Sequence, residues 1–347
     1  VKVLVVHPGP HFSVADVHHG LVKGLEANGV QVASFNFDDR LDFYVGAHIK
    51  KYDEWVQAFD RDSAIRLANQ GLLAACYQMW PDVVVVTSGF FVTPETWAVL
   101  ARRPHHTVLW CTESPYEDDR QAQPARYVDT VVLNDPTNLQ HMRGVNARSW
   151  YLPHSYDPDV HFPGASEPDL VCDFGFVGTG FPSRVEFFEQ VDWSGIDARF
   201  GGNWNLTDEG GSIRSRLIHE PGHCMDNADA ARLYRSARVG ANLYRKEHSD
   251  AAHADGWAIG PREVELAACG SFFLREPRAE GDDLFRSLPT FTTPAEFGDK
   301  LRWWLGHPGH REEAAASARA AIADRTFTAT AARLLSLVDG VGKVNAA

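Results

Sequence analysis

Short runs of β-branched and aliphatic residues alternate along this chain with longer stretches in which apolar positions recur every three or four residues. In the first half the short runs are VKVLVV (1–6), VQVASFNF (30–37), DVVVVTS (82–88), HTVLWCT (106–112) and DTVVLN (129–134). The longer stretches between them predict helices over Val14 to Asn28 and from about Asp53 to Gln78. Strand-like runs separated by helical ones and bounded by turn residues are the signature of a parallel α/β sheet. The pattern pauses at YLPHSYDPDVHFPG (151–164), whose three prolines suit an extended connector. It resumes with CDFGFVG, a helix at 183–191, IDARFGG, a helix near 227–237, VGANLY, a helix at 261–269, SFFL and a closing strand near Thr290. The Ala-rich stretch at 312–323 reads as a late helix. The expectation is two Rossmann-like domains, 1–153 and 154–347, the second with closing helices. Ligands in such sheets bind beyond the carboxyl ends of the strands.

Composition narrows the function. The 347 residues carry a formal charge of −13, which disfavours attachment to nucleic acid by bulk electrostatics. No apolar run reaches the ~18–20 residues of a membrane helix, and VKVLVV opens without a basic leader, so a soluble, cytoplasmic protein is expected. Five dispersed cysteines, with no CxxC pair, suit reduced thiols and not a disulfide scaffold or a zinc site.

Three stretches carry candidate chemistry. In FVGTGFPSR (176–184) a strand runs into Gly178, Thr179 and Gly180, Ser183 is placed to cap the next helix, and Arg184 lies in its first turn. Glycines permit close approach of an anion, and a helix start offers N–H groups to it. Ser183 stands where a dinucleotide fingerprint has its third Gly, so an ordinary strand-to-helix turn competes with a diphosphate site. In HPGPHFSVAD (7–16) Gly9 sits in a turn and Ser13 near a helix start. His11 and Asp16 are candidate general bases there, with helix capping the competing role for Asp16. Glu113 in WCTESPYEDD (110–119) stands at a strand's carboxyl end, as a base or a holder of a substrate hydroxyl. The Glu117, Asp118, Asp119 run reads as a solvated acidic loop in preference to a metal site, and His18–His19 and His105–His106 lack metal-ligand spacing.

PREVELAACGSFFLREP (261–277) resembles a segment of GT-B glycosyltransferases of the CgeB, or spore-maturation, type. VGANLYR (239–245), FVGTGFPSR, the stretch from Thr293 to Val338 and the opening from Val3 to Val32 are similar to other parts of that family, so the likeness spans nearly the whole chain. It implies a GT-B fold, two Rossmann-like domains facing each other across a cleft, that works without a bound metal or other cofactor. It implies a nucleotide-sugar donor, UDP-linked for preference, with Glu265 on the ribose hydroxyls and Arg262 near the diphosphate, joined by Arg184, Arg245, Asn242 and the Gly178–Gly180 turn. One departure stands out: many retaining members carry a second Glu eight positions before this one, where this chain has Trp257, with Asp255 two residues upstream. Inversion and retention therefore both stay open. The amino-terminal half is similar to phage-encoded glycosyltransferases, which adds hydroxymethylated DNA bases to small molecules, glycans and peptides as acceptors. A nucleotide-sugar epimerase or hydrolase, and a catalytically silent nucleotide-binding protein, are the rival readings.

Overall fold

The computed structural model describes residues 1–9, 15–205, 211–247 and 255–339. The chain divides into two compact units, one comprising Val1–Pro153, Ser249–Asp255 and Phe327–Ala347, the other His154–His248 and Gly256–Thr326.

Unit 1 is built on strands β1 (Lys2–Val6), β2 (Gln31–Phe35), β5 (Val83–Thr87), β6 (His106–Cys111), β7 (Thr130–Leu133) and β8 (Ser149–Tyr151), all parallel in the order β2-β1-β5-β6-β7-β8. Helices α1 (Ala15–Ala27), α2 (Phe37–Val45), α3 (Arg61–Met79), α4 (Pro94–Leu100), α5 (Asp118–Gln121) and α6 (Leu139–Val145) connect them. Side chains alternate faces along a strand, and β1 shows it: Leu4 and Val6 join one apolar cluster with Phe35, Ala68 and Leu72, while Val3 and Val5 join another with Leu21 and Leu25.

Two elements differ from the pattern reading. Glu54–Gln57 is not the start of a long helix but β4, paired antiparallel with β3 (His48–Lys51), and α3 begins only at Arg61, where Asp60 accepts the Ser63 N–H at 2.7 Å. A capping Asp in extended backbone stops a helix from growing backward. The strand β8 is three residues long, too short to show a period.

Unit 2 carries β9 (Cys172–Val177), β10 (Ala198–Gly201), β11 (Ala237–Asn242) and β12 (Phe273–Arg275), parallel in the order β10-β9-β11-β12. Around them lie α7 (Pro182–Glu189), α8 (Asn227–Ser236), α9 (Pro261–Ala268), α10 (Ala279–Leu284), α11 (Pro294–Leu305) and α12 (Pro308–Ala321). Near Thr290 there is only an isolated bridge to Arg275, not a further strand. Its core is aromatic: Phe174, Phe176, Phe188, Trp193 and Phe200 touch edge-to-face or tilted with centroids 4.9–6.2 Å apart.

The last helix, α13 (Phe327–Asp339), departs from the expected 154–347 domain and belongs to unit 1. Its Ala331, Leu334 and Val338 enter the cluster of Leu21 and Leu25 on α1, Asn28 Nδ2 donates to Thr328 O at 2.9 Å, and Arg148 Nη2 to Leu337 O at 3.1 Å.

Candidate active site

In unit 2 the expected donor residues gather at the carboxyl ends of β9 and β11. Arg262, in the first turn of α9, donates from Nε to Val177 O at 2.5 Å and from Nη1 to Asn242 Oδ1 at 2.9 Å, and its guanidinium lies 4.6 Å over the Phe176 ring. It therefore crosses the end of both strands. Gly178 is what lets it do so, since a Cβ there would sit 2.2 Å from Arg262 Nη2. The Gly178 turn is clamped from the other side by Gly178 N–H to Gly201 O at 3.0 Å and Gly180 N–H to Asn203 O at 2.7 Å.

Glu265 follows Arg262 by three residues on the same face of α9. It is half-buried, and that burial, only partly offset by Arg262, lifts its carboxyl to about 7. Asn242 is buried, and its Nδ2 has no partner among the described residues. Unpaired buried donors cost about 1–3 kcal/mol each, so a group that accepts from Asn242 would be bound favourably. Arg245, further along, lies 5.2 Å over the Phe181 ring and donates to Glu247 O.

Two expectations change here. Arg184 bonds to backbone carbonyls: it is 7% exposed, with Nε and Nη2 on Leu243 O at 3.1 and 2.7 Å and Nη1 on Thr179 O at 3.0 Å. It staples the loop after β9 to the loop after β11. Ser183 is not the cap of α7, because Pro182 opens the helix and Phe181 is the N-cap, without a side-chain acceptor. The Ser183 N–H, expected to be free, is already taken by the Glu247 carboxylate at 2.9 Å.

Glu263 escaped the sequence reading. It is fully buried on α9, its Oε2 accepting from Tyr244 OH at 2.5 Å and from Gly260 N–H at 2.8 Å, and burial pushes it to about 7 despite those bonds. A Gly N-cap followed three residues on by Glu was the available signal, since such a Glu reaches back to the N-cap N–H.

In unit 1, Asp16 lies half-buried in the first turn of α1, and Glu113 half-buried just past β6. Gly9 follows β1 with its N–H on His7 Nδ1 at 3.2 Å. His11 and Ser13 lie outside the described residues. Among the described residues, no group of three His, Cys, Asp or Glu side chains is arranged to hold a metal ion.

Residues 184–336 match the model of the glycosyl transferase-like family. The spore protein CgeB of Bacillus subtilis (strain 168) is 20% identical over 244 residues, 68% of this chain and 76% of that one. Among solved structures, the sucrose-phosphate synthase of Thermosynechococcus elongatus superposes with a TM-score of 0.67 at 12% identity, covering 99% of this chain and 100% of the other. A UDP-forming α,α-trehalose-phosphate synthase from Burkholderia xenovorans does so at 0.60 and 10%, covering 98% and 99%. The chain has the GT-B fold.

The acidic loop after β6 is not the solvated run expected. Only Asp119 is exposed, whereas Glu117 and Asp118 are 8% and 2% exposed. Asp118 Oδ2 accepts from Ser114 Oγ and Asn138 Nδ2, both at 2.9 Å, and Oδ1 is buried without a partner among the described residues. Burial outweighs those two bonds and raises the carboxyl from 3.8 to about 6. The unfolded chain thus ionises at lower pH than the fold does, and the fold loses stability as pH rises from about 4 to 6. Asp118→Asn is expected to be the more stable protein at pH 7.5, by about 2 kcal/mol, and to differ little from the parent at pH 4. Urea denaturation at the two pH values checks this; a variant equally destabilised at both would show that the carboxylate itself is needed.

Proposed function

We propose that the protein is a glycosyltransferase that takes its sugar from a nucleotide diphosphate sugar, UDP-linked for preference, bound by unit 2, and passes it to an acceptor hydroxyl. The observation that carries this reading is the pairing, on one helix turn, of an Arg braced across two strand ends with a half-buried Glu three residues on. The Arg262 guanidinium and the Gly178 turn suit the diphosphate, whose charge grows as the sugar departs. The Glu265 carboxylate suits the two ribose hydroxyls, which donate to it. Cationic side chains, Arg262 and Arg245, meet the diphosphate charge in this reading without a metal ion. The UDP-forming product named for the Burkholderia synthase is consistent with a uridine donor.

A carboxylate of unit 1, Asp16 before Glu113, takes the acceptor proton. The acceptor class is set by a hydroxyl nucleophile: a small molecule, a glycan, a peptide or a hydroxymethylated base in DNA. Glu265→Ala is expected to weaken UDP binding by about 1.5–3 kcal/mol, the worth of a hydrogen bond to a charged group, with folding little changed. Calorimetric titration of UDP into the folded variant decides it, and an unchanged affinity removes Glu265 from the donor site. Mass analysis of products from donors and acceptors, hydroxymethylated DNA included, identifies the second substrate.

A further inference from the structure

Helix α7 starts with Pro182, which has no N–H, and the Arg184 N–H is spent on Phe181 O at 2.9 Å. That leaves Ser183 to meet an anion at this helix end. Its N–H donates to Glu247 Oε1 at 2.9 Å and its hydroxyl to Oε2 at 3.1 Å, where the Lys246 N–H also arrives at 3.2 Å. These donors outweigh burial and hold the Glu247 carboxyl below its ordinary range, so it is an anion at neutral pH. An anion seated on the positive end of a helix is favourable, and one backbone N–H cannot serve two anions in full.

The loop that ends at this seat begins among groups that suit an outside anion. The turn leading into α7 starts at Gly178, beside the Arg262 guanidinium, which donates to Asn242 Oδ1, and the buried Asn242 Nδ2 has no partner among the described residues. Glu247 itself comes from the segment following β11, which is fixed independently: Leu243 O by Arg184, the Tyr244 N–H on Glu276 at 2.7 Å, and Lys246 Nζ by Glu276 at 3.2 Å. The carboxylate can therefore leave without unravelling the segment behind it. A groove of about 530 Å³, counting its open mouth, lies alongside, lined by Ser183, Tyr244, Lys246 and Glu276, and gives the side chain room.

We propose that Glu247 is a displaceable anion latch: its carboxylate occupies the start of α7 in the free enzyme and yields that place to the diphosphate of the donor. The inference rests on the donor reading above and adds a regulatory role at the same site. Displacing Glu247 costs affinity for donor, and its return competes with the nucleotide diphosphate left after transfer, which hastens product release. Release steps commonly limit turnover in enzymes that bind their products well.

The test uses inorganic pyrophosphate and UDP, titrated into the full chain and its Glu247→Gln and Glu247→Ala variants. Both variants are expected to bind both ligands about 5–10-fold more tightly, since the lost competitor is a charged hydrogen-bonding group. The free variants are expected to melt at a lower temperature than the parent, and the UDP-saturated proteins at nearly the same one. Pyrophosphate binding that is weaker in the variants, or within twofold of the parent, overturns the latch. The donor reading fails differently: UDP would bind no better than pyrophosphate and would ignore Glu265→Ala, while a pyrophosphate gain in the variants would leave the latch standing.

Discussion

Asp16→Asn is expected to lower the rate of sugar transfer by about 10²–10⁴ while leaving donor affinity intact, because it keeps size and hydrogen bonding but removes basicity. Asp16 sits in the first turn of α1, directly after the loop that leaves β1, which is the sheet end where ligands of α/β folds bind. A half-buried carboxylate there is shielded enough to act as a base and open enough to be reached. Glu113, the competitor, leaves β6 at the same end of the sheet, with its own carbonyl accepting the Tyr116 N–H at 2.8 Å. Single-turnover rates for Asp16→Asn and Glu113→Gln, with donor binding measured in parallel, separate the two. Normal transfer by the Asp16 variant together with loss in the Glu113 variant moves the base to the β6 loop, and full activity in both removes either carboxylate from the step.

The second large effect is on stability. Gly202 has φ of +101°, and a Cβ added there would lie 2.3 Å from Gly178 O, 2.8 Å from Gly178 C and 2.9 Å from Gly178 N. All three are backbone atoms, so no side chain can swing aside. Gly202→Ala therefore combines a left-handed backbone unsuited to Ala with a contact that only a shift of the β9 or β10 loop can relieve. The expected loss is about 2–6 kcal/mol, from about 1–3 for each cause. The same shift moves Gly178 away from Arg262, so UDP affinity should fall in whatever fraction remains folded. Urea denaturation reads the first effect and calorimetry the second. A variant as stable as the parent would mean that the two glycine turns do not touch as described.

What the sequence disclosed follows the range of the interactions involved. The VVVV of β5 is buried on both faces and announces itself by composition, and α1 by its period. The β3–β4 hairpin did not, because EWVQ lies mostly on the surface and its pairing with HIKK leaves no apolar alternation to read. The placement of Arg262 and Glu265 one turn apart on α9 was legible through a local motif, but the bonding of Arg184 was not. Its partner carbonyl at Leu243 is 59 residues away, and nothing in SR at 183–184 distinguishes an Arg facing phosphate from one facing backbone. Burial of Asp118 was equally hidden, since Ser114 is local but Asn138 arrives from another loop. Glu247 left one trace: a helix beginning FPS has no side-chain acceptor at its N-cap, and so asks for one from elsewhere.

The docking of α13 on α1 sets the order in which this chain can be completed during synthesis. The Leu21 and Leu25 face of α1 emerges from the ribosome early, but the residues that cover it, Ala331, Leu334 and Val338, emerge only after all of unit 2. Translation therefore finishes unit 2 first and closes unit 1 last, with an apolar strip of α1 left waiting for most of the interval.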